Sequence, residues 1–125
     1  MSERKILQPS DQHPITVEPT PGRVVVRING EVVADSRAAL TLQESNYPAV
    51  QYIPLADVLP HGLACTETST YCPYKGDASY YSVSIGDVTV EDAIWTYERP
   101  YPAVAPIAGH VAFYPDKAEV SVTDD

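Results

Sequence analysis

Residues 23–36, RVVVRINGEVVADS, carry the plainest structural signal in the chain. Two β-branched runs flank Asn29-Gly30, and a type I′ turn asks for positive φ at both central positions, which asparagine and glycine tolerate best. The segment predicts an antiparallel hairpin. A two-residue turn sets Arg27 against Val32 and Val26 against Val33, with Arg23 opposite Ser36, just past Asp35.

The same punctuation continues outward. AALTLQE (38–44) and AVQYIP (49–54) read as the next strands, and LADVLPHG (55–62) as a helical turn ended by Pro60 and Gly62. LACTETSTY (63–71) alternates and is rich in threonine, as a strand should be. ASYYSVSI (78–85) and VTVEDAIWTYE (88–98) flank Gly86-Asp87, a type II′ hairpin signal that predicts Tyr80 opposite Ala93 and Ala78 opposite Trp95. PAVAPIAGHVAFYP (102–115) predicts a short helical turn followed by a strand over 110–114, and AEVSV (118–122) an edge strand. Twelve prolines disfavour long helices. These elements together predict one mainly β domain, a curled or rolled antiparallel sheet with one or two helical turns. Residues 1–12 read as a flexible leader, 13–122 as the domain, and the final TDD as a frayed acidic end.

Composition narrows the function. A chain of 125 residues is large enough for one hydrophobic core. A formal net charge of −9 repels phosphate backbones and argues against nucleic acid as a partner. No apolar run approaches the roughly 18 residues of a membrane span, and MSERKILQPSDQHP lacks the apolar region of a signal peptide. A cytoplasmic protein away from membranes is the expectation. Cys65 and Cys72 are too few for a four-cysteine zinc site, and the three histidines lack i, i+3 or i, i+4 spacing, so no metal is expected. Seven extended residues put the two sulfurs roughly 23 Å apart, beyond disulfide reach. Cys65 reads as a small buried apolar residue, His61 as a solvated turn residue, and His110 as a group that assists a helix end.

The least generic segment is TSTYCPYKGDASYY (68–81). Pro73-Tyr74 suits the centre of a type I turn, with Gly76 supplying positive φ at the exit. Such a turn holds Cys72 and Lys75 on a short loop between two strands. Lys75 is the sole lysine between Lys5 and Lys117. It is a candidate anion contact, and a cation beside Cys72 favours thiolate.

VRINGEVVADS, YPAVQYIP, TYCPYKGDASYYSV, AIWTYERPYP and IAGHVAFY occur in this order, and HPI opens the domain. Over about residues 13 to 120 the chain resembles the bacterial and fungal family known as domain of unknown function 427. The resemblance implies a β-tent, Mss4-like fold with a cleft, and it carries a nucleotidyltransferase label. The paired C-x-x-C elements of zinc proteins in that fold class have no counterpart here.

The residues themselves support three readings. The first is a cleft for a small anionic ligand, with aromatic walls and a few polar groups. Its candidate members are His13, Arg23, Glu44, Tyr52, Tyr71, Lys75 and Trp95, with Cys72 and Lys75 as the catalytic candidates. The second is a nucleotidyltransferase, although the chain lacks a Gly-rich phosphate loop, and Glu91 and Asp92 are expected on opposite faces of one strand. The third is an interaction module or homo-oligomer, for which nine tyrosines supply interface-forming side chains. None of the three names a cofactor. Tyr80 and Tyr81 have opposite parity, so only one of them can face a given cleft.

Overall fold

A computed structural model describes residues 6–59 and 62–123. Its strands are β1 (Ile15–Pro19), β2 (Arg23–Ile28), β3 (Glu31–Ser36), β4 (Leu40–Glu44), β5 (Val50–Pro54), β6 (Gly62–Cys72), β7 (Gly76–Ile85), β8 (Val88–Thr96), β9 (His110–Phe113) and β10 (Glu119–Thr123). Short 3₁₀ turns occupy Leu55–Asp57 and Pro102–Ile107. The mainly β, antiparallel architecture expected from the sequence is present. Pro60, His61 and the two terminal aspartates lie outside the described residues, and with them the expectations placed on them.

Asn29 and Gly30 take φ of +53° and +80°, as a type I′ turn requires. Arg27 pairs with Val32 as expected, but the register slips by one residue beyond it, and Val26 pairs with Ala34 instead of Val33. A one-residue bulge explains the difference, because Val33 and Ala34 are both buried and strict alternation would have exposed one of them. Val24, not Arg23, therefore lies opposite Ser36, and the Arg23 side chain reaches Asp35. At the second hairpin Gly86 has φ of +58°, and Val83 pairs with Val90 as the turn predicts. A two-residue slip at Glu91 and Asp92 then sets Tyr80 against Trp95, not Ala93, and takes Ala78 out of register with Trp95. Asp92 sits at φ +49°, and its carboxylate accepts hydrogen bonds from Thr66 Oγ1 (2.7 Å) and Thr68 Oγ1 (2.6 Å). A slip of two leaves each side chain on its own face.

β1 was not expected. ITVEP offers only a short alternation bracketed by Pro14 and Pro19, and it pairs along β4 as an edge strand, where a proline costs no ladder bond.

The strands form two sheets, β1-β4-β5-β9-β8-β7-β6 and β10-β2-β3. Alternate residues of the long sheet serve two different cores. Ile53, Val83, Ile94, Val111 and Phe113 pack against Val24, Val26, Ile28 and Val33 of the small sheet. Their neighbours on the other face, Tyr52, Tyr80, Tyr97 and Ala112, pack with Leu42 and with Val104 and Ile107 of the second 3₁₀ turn. No helix among the described residues is long and apolar enough to cross a membrane.

Candidate functional site

The turn between β6 and β7 is anchored on several sides. Lys75 N–H donates to the Cys72 carbonyl (3.2 Å), which places Pro73 and Tyr74 at the turn centre as predicted. Gly76 follows at φ +111°, and a Cβ there would lie 3.4 Å from the Arg99 carbonyl oxygen. The Tyr101 N–H donates to the Lys75 carbonyl (2.9 Å). Leu7, within the segment read as a leader, donates its N–H to the Pro73 carbonyl (3.0 Å). Ser10 and His13 then exchange backbone hydrogen bonds of 3.0 and 3.1 Å, so the chain enters the domain beside this turn.

That anchoring turns Lys75 inward. The residue is 8 % exposed, and its ammonium donates to Glu44 Oε1 and, more distantly, to Cys72 Sγ (3.8 Å). Glu44 closes β4, and its other oxygen, Oε2, lies 2.8 Å from His13 Nε2. Ser45, at φ +50°, donates its N–H to the Pro14 carbonyl (2.8 Å) and so ties the end of β4 to the His13 segment. The His13 ring stacks on Tyr74 of the turn, with centroids 4.2 Å apart and planes 8° from parallel. Burial pushes the Glu44 carboxyl up, but hydrogen bonds from Lys75 and His13 outweigh it and hold the group below the ordinary glutamate range.

Beside this cluster lies a hollow of about 210 Å³. Leu42 and Glu44 reach it from β4, Val50 and Tyr52 from β5, each pair two residues apart on its strand. Tyr80 comes from β7, Trp95 from the end of β8, and Tyr97 and Tyr114 from just past β8 and β9, while exposed Tyr47 and Pro48 stand at its rim. Trp95 Nε1 donates to Tyr52 Oη (3.1 Å), and Tyr114 Oη donates to Tyr80 Oη (3.3 Å). Burial raises the Tyr52 and Tyr97 phenols well above the ordinary tyrosine range, so both stay protonated.

The structure thus gathers His13, Glu44, Tyr52, Lys75 and Trp95 of the expected set, with Cys72 touching Lys75 from outside the hollow. Arg23 lies apart. It starts β2, makes a two-pronged contact with Asp35 (2.7 and 2.5 Å), and lines a different hollow with Arg37 and Asp57. Tyr71 supports the turn from behind, its hydroxyl 2.8 Å from that of Tyr101. Cys65 is exposed on the edge strand β6, not buried. His110 Nδ1 lies 2.9 Å from the Ala108 carbonyl at the start of β9. The sequence reading missed Tyr97 and Tyr114 as lining residues. Parity would have found Tyr97, two positions beyond Trp95 on the same face.

Fold and hollow together define a class: a small antiparallel β domain with an aromatic, hydroxyl-lined pocket on one face of its larger sheet. Within that class, the chain belongs to the family described as a domain of unknown function (DUF427), whose profile matches residues 16–124. No curated protein matches the chain.

Proposed function

We propose that this protein binds a small anionic ligand in the aromatic hollow, with Lys75 as the charged anchor. The observation that carries this reading is a nearly buried ammonium on a multiply anchored turn at the edge of a pocket. An ammonium has three N–H donors. Glu44 Oε1 and Cys72 Sγ take two of them, which leaves one for a ligand without breaking the ion pair. Aromatic rings flank the space beyond, so an anion with an apolar body fits better than a bare inorganic ion.

Size and charge favour this over nucleotidyl transfer. The hollow, about 210 Å³, falls below the ~300–1,000 Å³ typical of pockets that bury drug-sized ligands. A metal-bound nucleotide needs several carboxylates around Mg²⁺. Glu44 alone among the lining residues is a carboxylate, and it already serves Lys75 and His13. Calorimetric titration with butyrate, inorganic phosphate and MgATP tests the assignment. Butyrate should bind the native protein and lose at least tenfold in affinity to Lys75→Met. MgATP binding that survives this substitution, with no butyrate binding, would overturn the reading.

A further inference from the structure

A second, more apolar hollow of about 330 Å³ adjoins the first. Both are walled by Pro48, Val50 and Trp95. Beyond these three, the second is lined by Phe113, Val120 and Val122, among others, with Val122 48 % exposed. The backbone explains why the hollows meet. The ladder between β5 and β9 consists of two pairs, Ile53 with Val111 and Pro54 with His110. Past Ile53 the two strands part, and Val50 pairs with Leu42 of β4 alone. Trp95, held opposite Ala112, stands at that opening. Pro48 is exposed and Val50 and Trp95 are half-buried, so solvent reaches the residues that divide the two hollows.

We infer that the ligand is an amphipathic carboxylate that lies across this divide. Its head meets Lys75 in the first hollow, and its unbranched apolar tail passes Trp95 into the second. This rests on the small-anion reading above and adds the tail. Two facts favour one ligand over two. The charged anchor sits only in the first hollow, and the groove next to it has valine, phenylalanine and proline but no cation among its lining residues. A tail removes apolar area from water at both Trp95 and Val122, which a short anion leaves exposed.

Trp95 is the protein's single tryptophan, so its fluorescence reports on the divide without labelling. Titrations with butyrate, hexanoate and decanoate, each below its micelle concentration, should show affinity rising about two- to fourfold per added methylene. Lys75→Met should weaken all three. Val122→Asp, at an exposed edge-strand position where folding is easily checked by its melting curve, should flatten the dependence on chain length. Butyrate and decanoate binding within twofold of each other would sink the tail while leaving the small-anion site standing. No binding by any of the three would remove both. A chain-length gain indifferent to Lys75→Met and Val122→Asp would be nonspecific adsorption, and would also overturn the inference.

Discussion

The two faces of the seven-stranded sheet are built from alternate residues of the same strands, yet their chemistry differs. Toward the small sheet the buried side chains are aliphatic apart from Phe113, with Tyr81 partly buried beside them, and they interlock with valines and isoleucines from β2 and β3. Toward the 3₁₀ turn, Tyr52, Tyr80 and Tyr97 share the buried layer with Leu42, Ala78 and Ala112, and Trp95 and Tyr114 pack against it. An aliphatic side chain needs only close neighbours, whereas a buried phenol also needs a partner for its hydroxyl. The aromatic face satisfies Tyr52 through Trp95, and Tyr80 through Thr70 and Tyr114. These polar tips border a hollow that close packing would have filled. Close aliphatic packing and hydrogen-bonded phenols are thereby divided between alternate positions of shared strands.

The largest effect that would sharpen this contrast lies on the aliphatic side. Ile94 is 0 % exposed at the centre of that core, and Ile94→Ala should cost about 2–5 kcal/mol, read as a lowered denaturation midpoint at unchanged slope. A loss below about 1 kcal/mol would show that the face is loosely packed and break the contrast. Lys75→Met should come next, at about 1–3 kcal/mol, because Glu44 keeps its charge in a largely buried place with only His13 beside it. Adding Glu44→Gln to that variant should restore part of the loss, and a double-mutant cycle would measure the coupling.

Titration acts on the aromatic face, where Glu44 and Tyr52 both line the hollow. The Glu44 carboxyl is folded below its ordinary value of 4.5, so its stabilisation is complete above about that pH and is lost as the pH falls through the lower folded value. The stability of Glu44→Gln should therefore fall less steeply with acid below pH 4.5 than that of the native protein. Tyr52 has the opposite sign. Burial raises its phenol above the ordinary 10.0, so its contribution is intact below that pH and is lost as alkali approaches the folded value. Tyr52→Phe should shift alkaline unfolding to higher pH. The smallest effect is expected from Tyr97→Phe, within about 0.5 kcal/mol in stability, since Tyr97 borders the hollow and phenylalanine keeps the packing of its ring. A loss approaching that of Ile94→Ala would erase the distinction between the faces.

What the sequence disclosed follows how local each signal is. Asn29-Gly30 and Gly86-Asp87 announce their hairpins because turn chemistry resides in two adjacent residues. The bulges do not announce themselves. The slip at Asp92 is fixed by Thr66 and Thr68 from another strand, and the one at Val33 by the packing demand of a core that forms only after the sheets meet. The Lys75 turn was legible from Pro73 and Gly76. Its partnership with Glu44 was not, because the two lie 31 positions apart and meet only through the path of β4. Arg23 was grouped with Lys75 by charge, but its place on the small sheet sends it to Asp35.

The account stands most directly on a two-dimensional NMR titration of the native protein with butyrate. It predicts saturable shifts confined to Lys75, Trp95, Tyr97 and their neighbours, with Val83, Ile94 and Val111 on the opposite face unmoved. Shifts centred on Arg23 and Asp35, or spread evenly over both faces, would contradict it.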